Sequence, residues 1–423
     1  MRNAERTVFG VLFSICLCHM INDMLQSLLA ALYPTLKFQF HLSFAQIGLV
    51  TLAYQLTASL LQPVVGLYAD RKPTPFSLPA GTLFTFAGLL MLSLASSFAG
   101  LLVGACVLGV GSSVFHPESS RVARMAAGRR AGLAQSLFQV GGNVGSALGP
   151  LGAAVVVLRY GKRGFVAFSL CALLSTAILT GVGVWYKRHG LARLAEGKRV
   201  QRESPSARVL SAKQVTGSMA VLLALIFSKF VYLASLASYY TFYLIDRFGV
   251  SVRAAQMRLF ALSAAVAVGT LAGGPLGDRV GRKPIIWFSI LGALPFTLAL
   301  PYADLFWTGA LSLIIGFVLA SAFPAIVVYG QELIPGRVGL ISGMFFGLSF
   351  GAGGLGAALL GRLADVTSIE HVYAVVSFLP ALGLLAALLP TLGGSPGRYR
   401  AAGGARAISV EPATVPPVLS RDE

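Results

Sequence analysis

Charged residues are scarce in this sequence, and acidic ones are the scarcest. Only 11% of the 423 residues are charged, whereas a soluble domain carries roughly a quarter. Hydrophobic residues make up 56% of the chain, which is enough for about twelve spans of roughly 20 apolar residues each. This composition excludes a soluble globular protein and predicts a polytopic membrane protein.

The sequence also has few cysteines and lacks the motifs of several enzyme classes. None of its four cysteines forms a Cys-x-x-Cys pair, the spacing of zinc and redox sites. Cys16 and Cys18 could in principle bind a soft metal, although small core or lipid-facing residues are the simpler interpretation. The segment from Gly109 to Gly111 lacks the strand–turn–helix context of a nucleotide site, and there is no Walker lysine. We therefore predict no cofactor, no metal and no enzymatic activity.

The net charge of +18 reflects membrane topology rather than nucleic-acid binding. With the N-terminus inside, Lys and Arg favour the inner connections over the outer ones by about three to one, the bias that orients membrane proteins. The run Val8–Cys18 could mimic a secretory signal, but polar residues follow and the apolar pattern then resumes. We expect an uncleaved first span, a bacterial inner membrane with both termini cytoplasmic, and membrane lipid as a partner.

A stretch that occurs twice predicts the architecture. Gly66–Lys72 and Gly274–Lys283 each place Asp four residues after Gly and end in cations. Such a repeat is typical of carriers whose halves are related by an axis along the membrane normal. We predict an all-α protein with twelve transmembrane helices in two pseudo-symmetric six-helix bundles. The predicted domains are bundles 1–186 and 215–391, a basic cytoplasmic connector 187–214 and a disordered tail 392–423.

The second copy of the repeat resembles the signature of the major facilitator superfamily. It reads Gly-x-x-x-Asp-Arg-x-Gly-Arg-Lys, whereas the first copy has Pro73 where the second has Gly281. The run Gly145–Gly152 is similar to a motif of drug/proton antiporters. Three polar-bearing strings within the apolar runs resemble the fosmidomycin-resistance family: 19–27, 112–125 and 134–143. The resemblance implies export of a small phosphonate antibiotic by proton antiport.

We expect the repeated loops to latch the cytoplasmic side when the carrier faces outward. Asp70 is expected to engage cations near Arg121 or Arg124, and Asp278 to engage the start of span eleven. The predicted gating residues are Asp70, Arg71, Arg121, Arg124, Gly274, Asp278, Arg279, Gly281, Arg282 and Arg337.

Span one carries four polar residues on one helical face: His19, Asn22, Asp23 and Gln26. Spacings of three and four residues bring them together, and polar groups in a membrane are costly and often mark pathways. A hydrogen bond between helices is the alternative for any one of them. Asp23 is the expected proton carrier, with His19 as a helper, while Asn22 and Gln26 are expected to contact substrate.

Lys229 on span seven is the expected anion site. The repeat offset places it at nearly the depth of Asp23. Tyr232, Tyr239 and Tyr243 follow at helical spacing, so their hydroxyls could donate to a phosphonate. The alternative is an internal salt bridge between Lys229 and Asp23, with the tyrosines at the interface.

Three further ionisable residues are assigned to proton coupling with the alternative of gating left open: His116 and Glu118 on span four, and Glu332 on span ten. Imidazole is the side chain whose ordinary pKa lies closest to neutrality, so His116 is a candidate proton relay. Glu118 can pair with Arg121 three residues on, and Arg337 is a plausible neighbour of Glu332.

Span five has two different sides. Gln139 and Asn143 lie on an amide side that is expected to face the cavity, and both are assigned to substrate binding, with the absence of substrate contact left open as the alternative. Gly145 and Gly149 lie roughly opposite, where small residues let helices approach closely. Pro150 is expected to loosen or kink this helix.

Together with the candidate residues, the resemblance implies an antiporter that exchanges protons for a small anionic phosphonate or similar drug by alternating access, and we expect it to be a monomer. One alternative is a proton-coupled uptake carrier for a small organic anion. The other is a membrane protein without transport activity, such as a receptor or a lipid-modifying enzyme.

Overall fold

The computed structural model describes residues 6–31, 36, 39–42, 44–152, 164–195 and 210–392. The described residues form helices and connecting turns and no strand. The helices, in chain order, are α1 Phe9–Ala31, α2 Phe44–Arg71, α3 Ser77–Leu94, α4 Phe98–Ala126, α5 Ala131–Gly152, α6 Gly164–Trp185, α7 Ala212–Phe248, α8 Val252–Val280, α9 Arg282–Leu291, α10 Leu305–Leu333, α11 Val338–Val366 and α12 Ile369–Val376.

Three helices continue beyond a break or a change of helical form. A π-helical turn, Tyr186–Gly190, extends α6; Leu294–Ala299 and a 3₁₀ turn, Leu300–Tyr302, extend α9; and a 3₁₀ segment, Leu379–Leu388, extends α12. Prolines explain the last two changes, because Pro295, Pro301 and Pro380 each lie at the start of a new segment and cannot donate a backbone hydrogen bond.

Eleven of the twelve helices, with their extensions, are long and apolar enough to cross a membrane. The exception among the described residues is α5, whose polar side lowers its hydropathy and whose predicted apolar run continues to residue 158, outside the described part. The fold class predicted from the sequence is confirmed: an all-helical membrane protein with twelve long helices.

Short polar residues begin several helices. Ser97 and Ser251 each accept a hydrogen bond from the third residue after them. Ser211 does the same and forms a capping box with Gln214. These caps satisfy backbone N–H groups that have no partner within the helix. Gly249 ends α7 with φ +62°, a left-handed conformation that favours glycine.

The predicted connector falls largely in the undescribed part. Residues 187–195 continue α6, and α7 begins at Ala212. Residues 196–209 and 393–423, which include almost all of the tail predicted to be disordered, lie outside the described residues.

The helix packing repeats after six helices. In the first half, α1–α6, the close pairs include α1 with α5, α2 with α4 and α3 with α4. The second half, α7–α12, has the equivalent pairs α7 with α11, α8 with α10 and α9 with α10. The two halves meet mainly through α2 with α11 and α5 with α8. This is the geometry that the sequence repeat implies.

Candidate functional site

A cavity of about 130 Å³ lies between the halves at mid-span. Helices of both halves line it, so rocking of one half against the other would change its shape. Its polar and aromatic lining includes His19, Asp23, Gln139, Asn143, Ser146, Lys229, Phe230, Thr270, Phe323, Phe346, Ser349 and Phe350.

One wall of the cavity is a buried cluster of two histidines around a carboxylate. His19 Nε2 lies 3.3 Å from Asp23 Oδ2, and His116 Nε2 lies 3.4 Å from Asp23 Oδ1. His19 and Asp23 share one face of α1, whereas His116 comes from α4. The cluster therefore joins two helices of the first half.

Backbone carbonyls determine where the histidine protons are. His19 Nδ1 lies 2.6 Å from the Phe138 carbonyl oxygen, and His116 Nδ1 lies 3.1 Å from the Ser112 carbonyl oxygen. A carbonyl can only accept, so both Nδ1 atoms carry a proton. In neutral rings both Nε2 lone pairs then point at the Asp23 carboxylate. Such facing lone pairs repel, so the cluster requires hydrogen from added protons or from a ligand.

The three side chains also place one possible ligand atom each within 4.8 Å of one another. The sequence contained no spacing that suggested this set, because its members lie on two helices. Either shared protons or a metal ion would satisfy the lone pairs of these side chains. Transport measured with and without a chelator distinguishes the two.

The remaining polar residues of α1 have other roles. Asn22 donates to Asp23 Oδ1 at 3.0 Å. Gln26 accepts a hydrogen bond from Tyr54 of α2, and neither Asn22 nor Gln26 lines the cavity. The predicted position of Asn22 and Gln26 in the lining of the cavity is therefore wrong for this conformation.

Lys229 lies on the opposite wall and is 97% buried. Its ammonium is 4.8 Å from the ring centroids of both Phe230 and Phe323, an arrangement that aromatic faces stabilise. Within the described part of the chain, Lys229 has no carboxylate at ion-pair distance. The alternative of a direct salt bridge with Asp23 is therefore wrong for this conformation, because Asp23 pairs with the two histidines instead.

The tyrosine stripe on α7 does not reach the cavity. Tyr232 and Tyr243 are buried in an apolar cluster of the second half. Tyr239 donates to the Ala357 carbonyl on α11. Lys229 faces the cavity together with Leu233, so the helix turns the tyrosines toward neighbouring helices. Their predicted position as substrate contacts is wrong for this conformation.

The two sides of α5 separate as their composition suggests. Gln139 and Asn143 line the cavity, and Asn143 donates to Thr270 of α8 at 3.1 Å. A Cβ at Gly145 would meet the Met20 backbone, and one at Gly149 would meet the side chain of Ser27. The glycine side therefore packs on α1. Pro150 lies within α5, but its side chain belongs to the undescribed part.

Glu118 and His116 point in different directions although they are two residues apart. Glu118 is fully buried on the other side of α4, where it accepts from Ser77 at 2.7 Å and pairs with Arg121 at 3.3 Å. Arg121 Nε lies 3.7 Å from Asp70. Glu118 is thus part of the Asp70 network and not of the cavity.

The two repeated aspartates bind across the halves at one end of the bundle. We call this the latch end; it contains the turns at 72–76, 127–130, 281 and 334–337. Asp70 accepts from the backbone N–H groups of Gly339 and Leu340, both at 2.9 Å, at the start of α11. The carboxylate thus satisfies free donors at a helix N-terminus.

Asp278 makes the equivalent contact with the first half. It accepts from the N–H groups of Gly132 and Leu133, both at 2.9 Å, at the start of α5. The prediction that Asp278 engages span eleven is wrong, because Asp70 occupies that helix start and Asp278 crosses to span five. Both copies form two bonds of equal length, so Pro73 in the first loop does not weaken its latch geometry.

A second charged layer joins the halves at the latch end. Glu332 lies 3.8 Å from Arg124 of the first half and 3.4 Å from Arg282. Arg282 also pairs with Asp278 at 2.9 Å. The expected neighbour of Glu332, Arg337, is the residue that directly precedes α11, and its side chain makes no capping hydrogen bond there.

The remaining predicted gating residues also lie at the latch end. Gly281 has φ +106° between α8 and α9, and a Cβ at Gly274 would meet the Gly132 backbone. The side chains of three cations are exposed there: Arg71, Arg279 and Arg337.

Hydroxyls and amides separate the cavity from these charges. Ser120 of α4 and Ser342 of α11 are 2.9 Å apart, and Gln331 of α10 donates to both. Ser120 also donates to Gln135 of α5. All four side chains are buried, and Ser120 lies one turn beyond His116 toward the latch end.

The structure reveals residues around the histidine–carboxylate cluster that the sequence did not single out. A Cβ at Gly142 would lie 2.6 Å from His19 Nε2 and 2.7 Å from Asp23 Oδ2, so glycine makes room for the cluster. Phe138 stacks on His19 with centroids 4.0 Å apart. Apolar rings in apolar helices give no sequence signal, since they look the same whether they face lipid or a cavity.

Comparison with known proteins agrees with this geometry. Residues 15–357 match the family profile of the Major Facilitator Superfamily. The chain is 56% identical over 388 residues to the fosmidomycin resistance protein of Escherichia coli (strain K12), covering 91% of this chain and 94% of that protein. It is 40% identical over 385 residues to the uncharacterized MFS-type transporter YfnC of Bacillus subtilis (strain 168), with the same coverage.

Solved transporters share the fold at low sequence identity. The transporter FucP in its outward conformation has a TM-score of 0.69 at 15% identity, over 90% of this chain and 98% of that chain. The human organic anion transporter MFSD10 has a TM-score of 0.67 at 16% identity, over 90% and 99%. Family profile, relatives and fold are those of transporters rather than enzymes, and the chain belongs to the major facilitator superfamily.

Proposed function

We propose that this protein exports a small anion of the fosmidomycin (phosphonate) type across the bacterial inner membrane in exchange for protons. The observation that carries the proposal is a cavity whose two walls differ in charge. One wall carries the buried ammonium of Lys229, and the other carries His19 and Asp23. His116 joins this pair from α4 through its contact with Asp23. The relative named for fosmidomycin resistance supports the choice of substrate.

Lys229 supplies the charge that an anion requires. A buried cation without a carboxylate partner is costly in a membrane, and a phosphonate would satisfy it through charge-assisted hydrogen bonds. Asn143 and Gln139 lie on the same cavity and can donate amide hydrogens. The aromatic rings around Lys229 exclude water, which strengthens the attraction.

The histidine–carboxylate cluster supplies the exchange. Its converging lone pairs are satisfied either by protons or by O–H and N–H donors on a substrate. A substrate that binds Lys229 with its anionic end and the cluster with a donor therefore competes with protons. Without that donor, protons on the cluster would attract the anion, and the two would be carried in the same direction.

Alternating access follows from contacts between the halves. Asp70, Asp278 and Glu332 hold the latch end closed in this conformation. Opening inward requires these contacts to break and exposes the cavity to the other side. Substrate then enters from the cytoplasm as protons leave, and periplasmic protons displace it after the halves rock back.

The test is the direction of flux and the sign of its pH dependence. Inside-out vesicles energised with a proton gradient should accumulate radiolabelled fosmidomycin, and acid should weaken its binding to the purified protein. Accumulation only in right-side-out vesicles, with binding strengthened by acid, would establish the uptake carrier instead. Failure to move either fosmidomycin or protons would exclude both forms of transport.

A further inference from the structure

Aromatic rings connect the histidine–carboxylate cluster (His19, Asp23 and His116), called the proton cluster from here on, with Lys229. The His116 ring centroid lies 5.4 Å from that of Phe346, and Phe346 lies 5.3 Å from Phe323. Lys229 Nζ is 4.8 Å from the Phe323 centroid. An unbroken contact therefore runs from the proton cluster to the cation.

Phe346 is the ring that reaches both sites. Phe350 also covers His116, at 5.1 Å, but within the described part of the chain its ring does not stack on that of Phe323. Phe138 contacts His19 and Phe346, yet it belongs to the same half as the cluster. Among the described residues, only Phe346 contacts both His116 and the ring that faces Lys229.

Phe346 also belongs to the helix that the first latch holds. It lies on α11, about two turns beyond Gly339 and Leu340, whose N–H groups donate to Asp70. The ring is 97% buried and packs against α4, α5 and α10.

The ring responds to the charge of its neighbours. An aromatic face attracts a protonated imidazole more strongly than a neutral one. Because these side chains are tightly packed, a change in the charge of the His116 imidazole would move the Phe346 ring, and the position of that ring limits where Phe323 and Lys229 can lie. The charged and titratable groups that line the cavity are His19 and Asp23 from α1 and Lys229 from α7, and the lining from α5, α8, α10 and α11 is neutral. His116 of α4 does not line the cavity but contacts Asp23.

We propose that Phe346 is a positioning residue that couples proton binding at His116 to anion binding at Lys229 through Phe323. This inference rests on the proposed exchange of protons for an anion. Linkage makes the coupling reciprocal, so the factor by which protons change anion affinity measures it.

The experiment compares fosmidomycin binding at pH 6 and pH 8 in the full-length protein in detergent. The variants are Phe346→Leu, which keeps apolar volume without a ring, and Phe346→Tyr, which restores the ring. Phe350→Leu is the matched control, because it removes a ring over His116 that does not continue to Phe323. Counterflow exchange and proton-driven uptake are measured in proteoliposomes.

In the wild type we expect the affinity for fosmidomycin to differ by about tenfold between pH 6 and pH 8, which is within the usual range of coupling. In Phe346→Leu this difference should fall below about twofold, with counterflow retained and proton-driven accumulation lost. Phe346→Tyr and Phe350→Leu should keep most of the wild-type ratio.

Two outcomes would overturn the inference alone. The first is that Phe346→Leu keeps the wild-type ratio of affinities at pH 6 and pH 8. The second is that Phe350→Leu loses this pH dependence as much as Phe346→Leu does, which would assign the effect to any ring that covers His116. If Phe346→Leu does not fold, Phe346→Met takes its place, and the same ratio decides. A wild type without any pH dependence would instead refute the proposed exchange, and this inference would fall with it.

Discussion

At the scale of the residue, the proposed function depends on two buried charges that do not touch. Asp23 is held between two imidazole nitrogens, and Lys229 between two phenyl rings. Each arrangement makes a charge tolerable in an apolar bundle while leaving it accessible to a ligand in the cavity. Opposite charges kept apart in one cavity can each change partner, which a direct salt bridge would prevent.

Replacing Asp23 tests the proton cluster. Asp23→Asn removes the carboxylate that the imidazoles share, so we expect proton-driven export to be abolished while counterflow exchange remains. Transport is measured in proteoliposomes with and without EDTA, which should make no difference to the wild type. Glu370→Gln, which changes an exposed carboxyl paired with Arg247, is the control. Intact coupled export in Asp23→Asn would show that the proton is carried elsewhere.

Replacing Lys229 tests the anion site. Lys229→Met keeps the length of the side chain and removes its charge, so fosmidomycin affinity should fall by about 10- to 100-fold, the value of a charged hydrogen bond. A neutral ester of the same phosphonate should lose much less affinity. Calorimetric titration of both ligands decides this, and equal losses would assign Lys229 a structural role.

At the scale of the element, helix contacts are set by small residues and helix ends. Gly145 packs on the α1 backbone, whereas Gly181 on α6 has no atom within 4 Å of an added Cβ. Gly145→Ala should lower the free energy of unfolding by about 1–3 kcal/mol through overpacking. Gly181→Ala should raise it by about 0.5–1 kcal/mol, because alanine favours the helix. Thermal unfolding in detergent measures both, and similar shifts would contradict the packing argument.

The two latches are equivalent elements. Each aspartate fills a helix start in the opposite half with two bonds of equal length. Asp70→Asn and Asp278→Asn each lose the charge and one acceptor, so both should populate the inward-open state more. Distance distributions between spin labels on the turns at 72–76 and 334–337 should broaden in both variants. A change in only one would show that the latches differ in strength.

At the scale of the whole molecule, the proposed alternating access requires the halves to separate at the latch end. Ser120 and Ser342 contact each other across the interface. Cysteines at these two positions should form a disulfide under oxidation and stop transport, and reduction should restore it. Each single cysteine variant is the control. Continued transport by the fully cross-linked protein would contradict separation of the halves at this layer.

The sequence by itself determined the class, the repeat and the chemistry that is present. Apolar runs of about 20 residues predict spans, because no other structure satisfies the backbone in lipid. The spacing of His19 and Asp23 placed them on one face, since helical periodicity is local. The duplicated Gly-x-x-x-Asp loops placed an aspartate at equivalent positions in the two halves.

Only the tertiary structure decided which of these groups meet. His116 joins Asp23 from another helix, Asp70 takes the start of α11 that was expected of Asp278, and Asp278 takes the start of α5. Phe346 contacts both His116 and Phe323. Periodicity gives the face of a helix but not its partner. The partner depends on how twelve helices pack together, and that is decided by the shapes of side chains far apart in the chain.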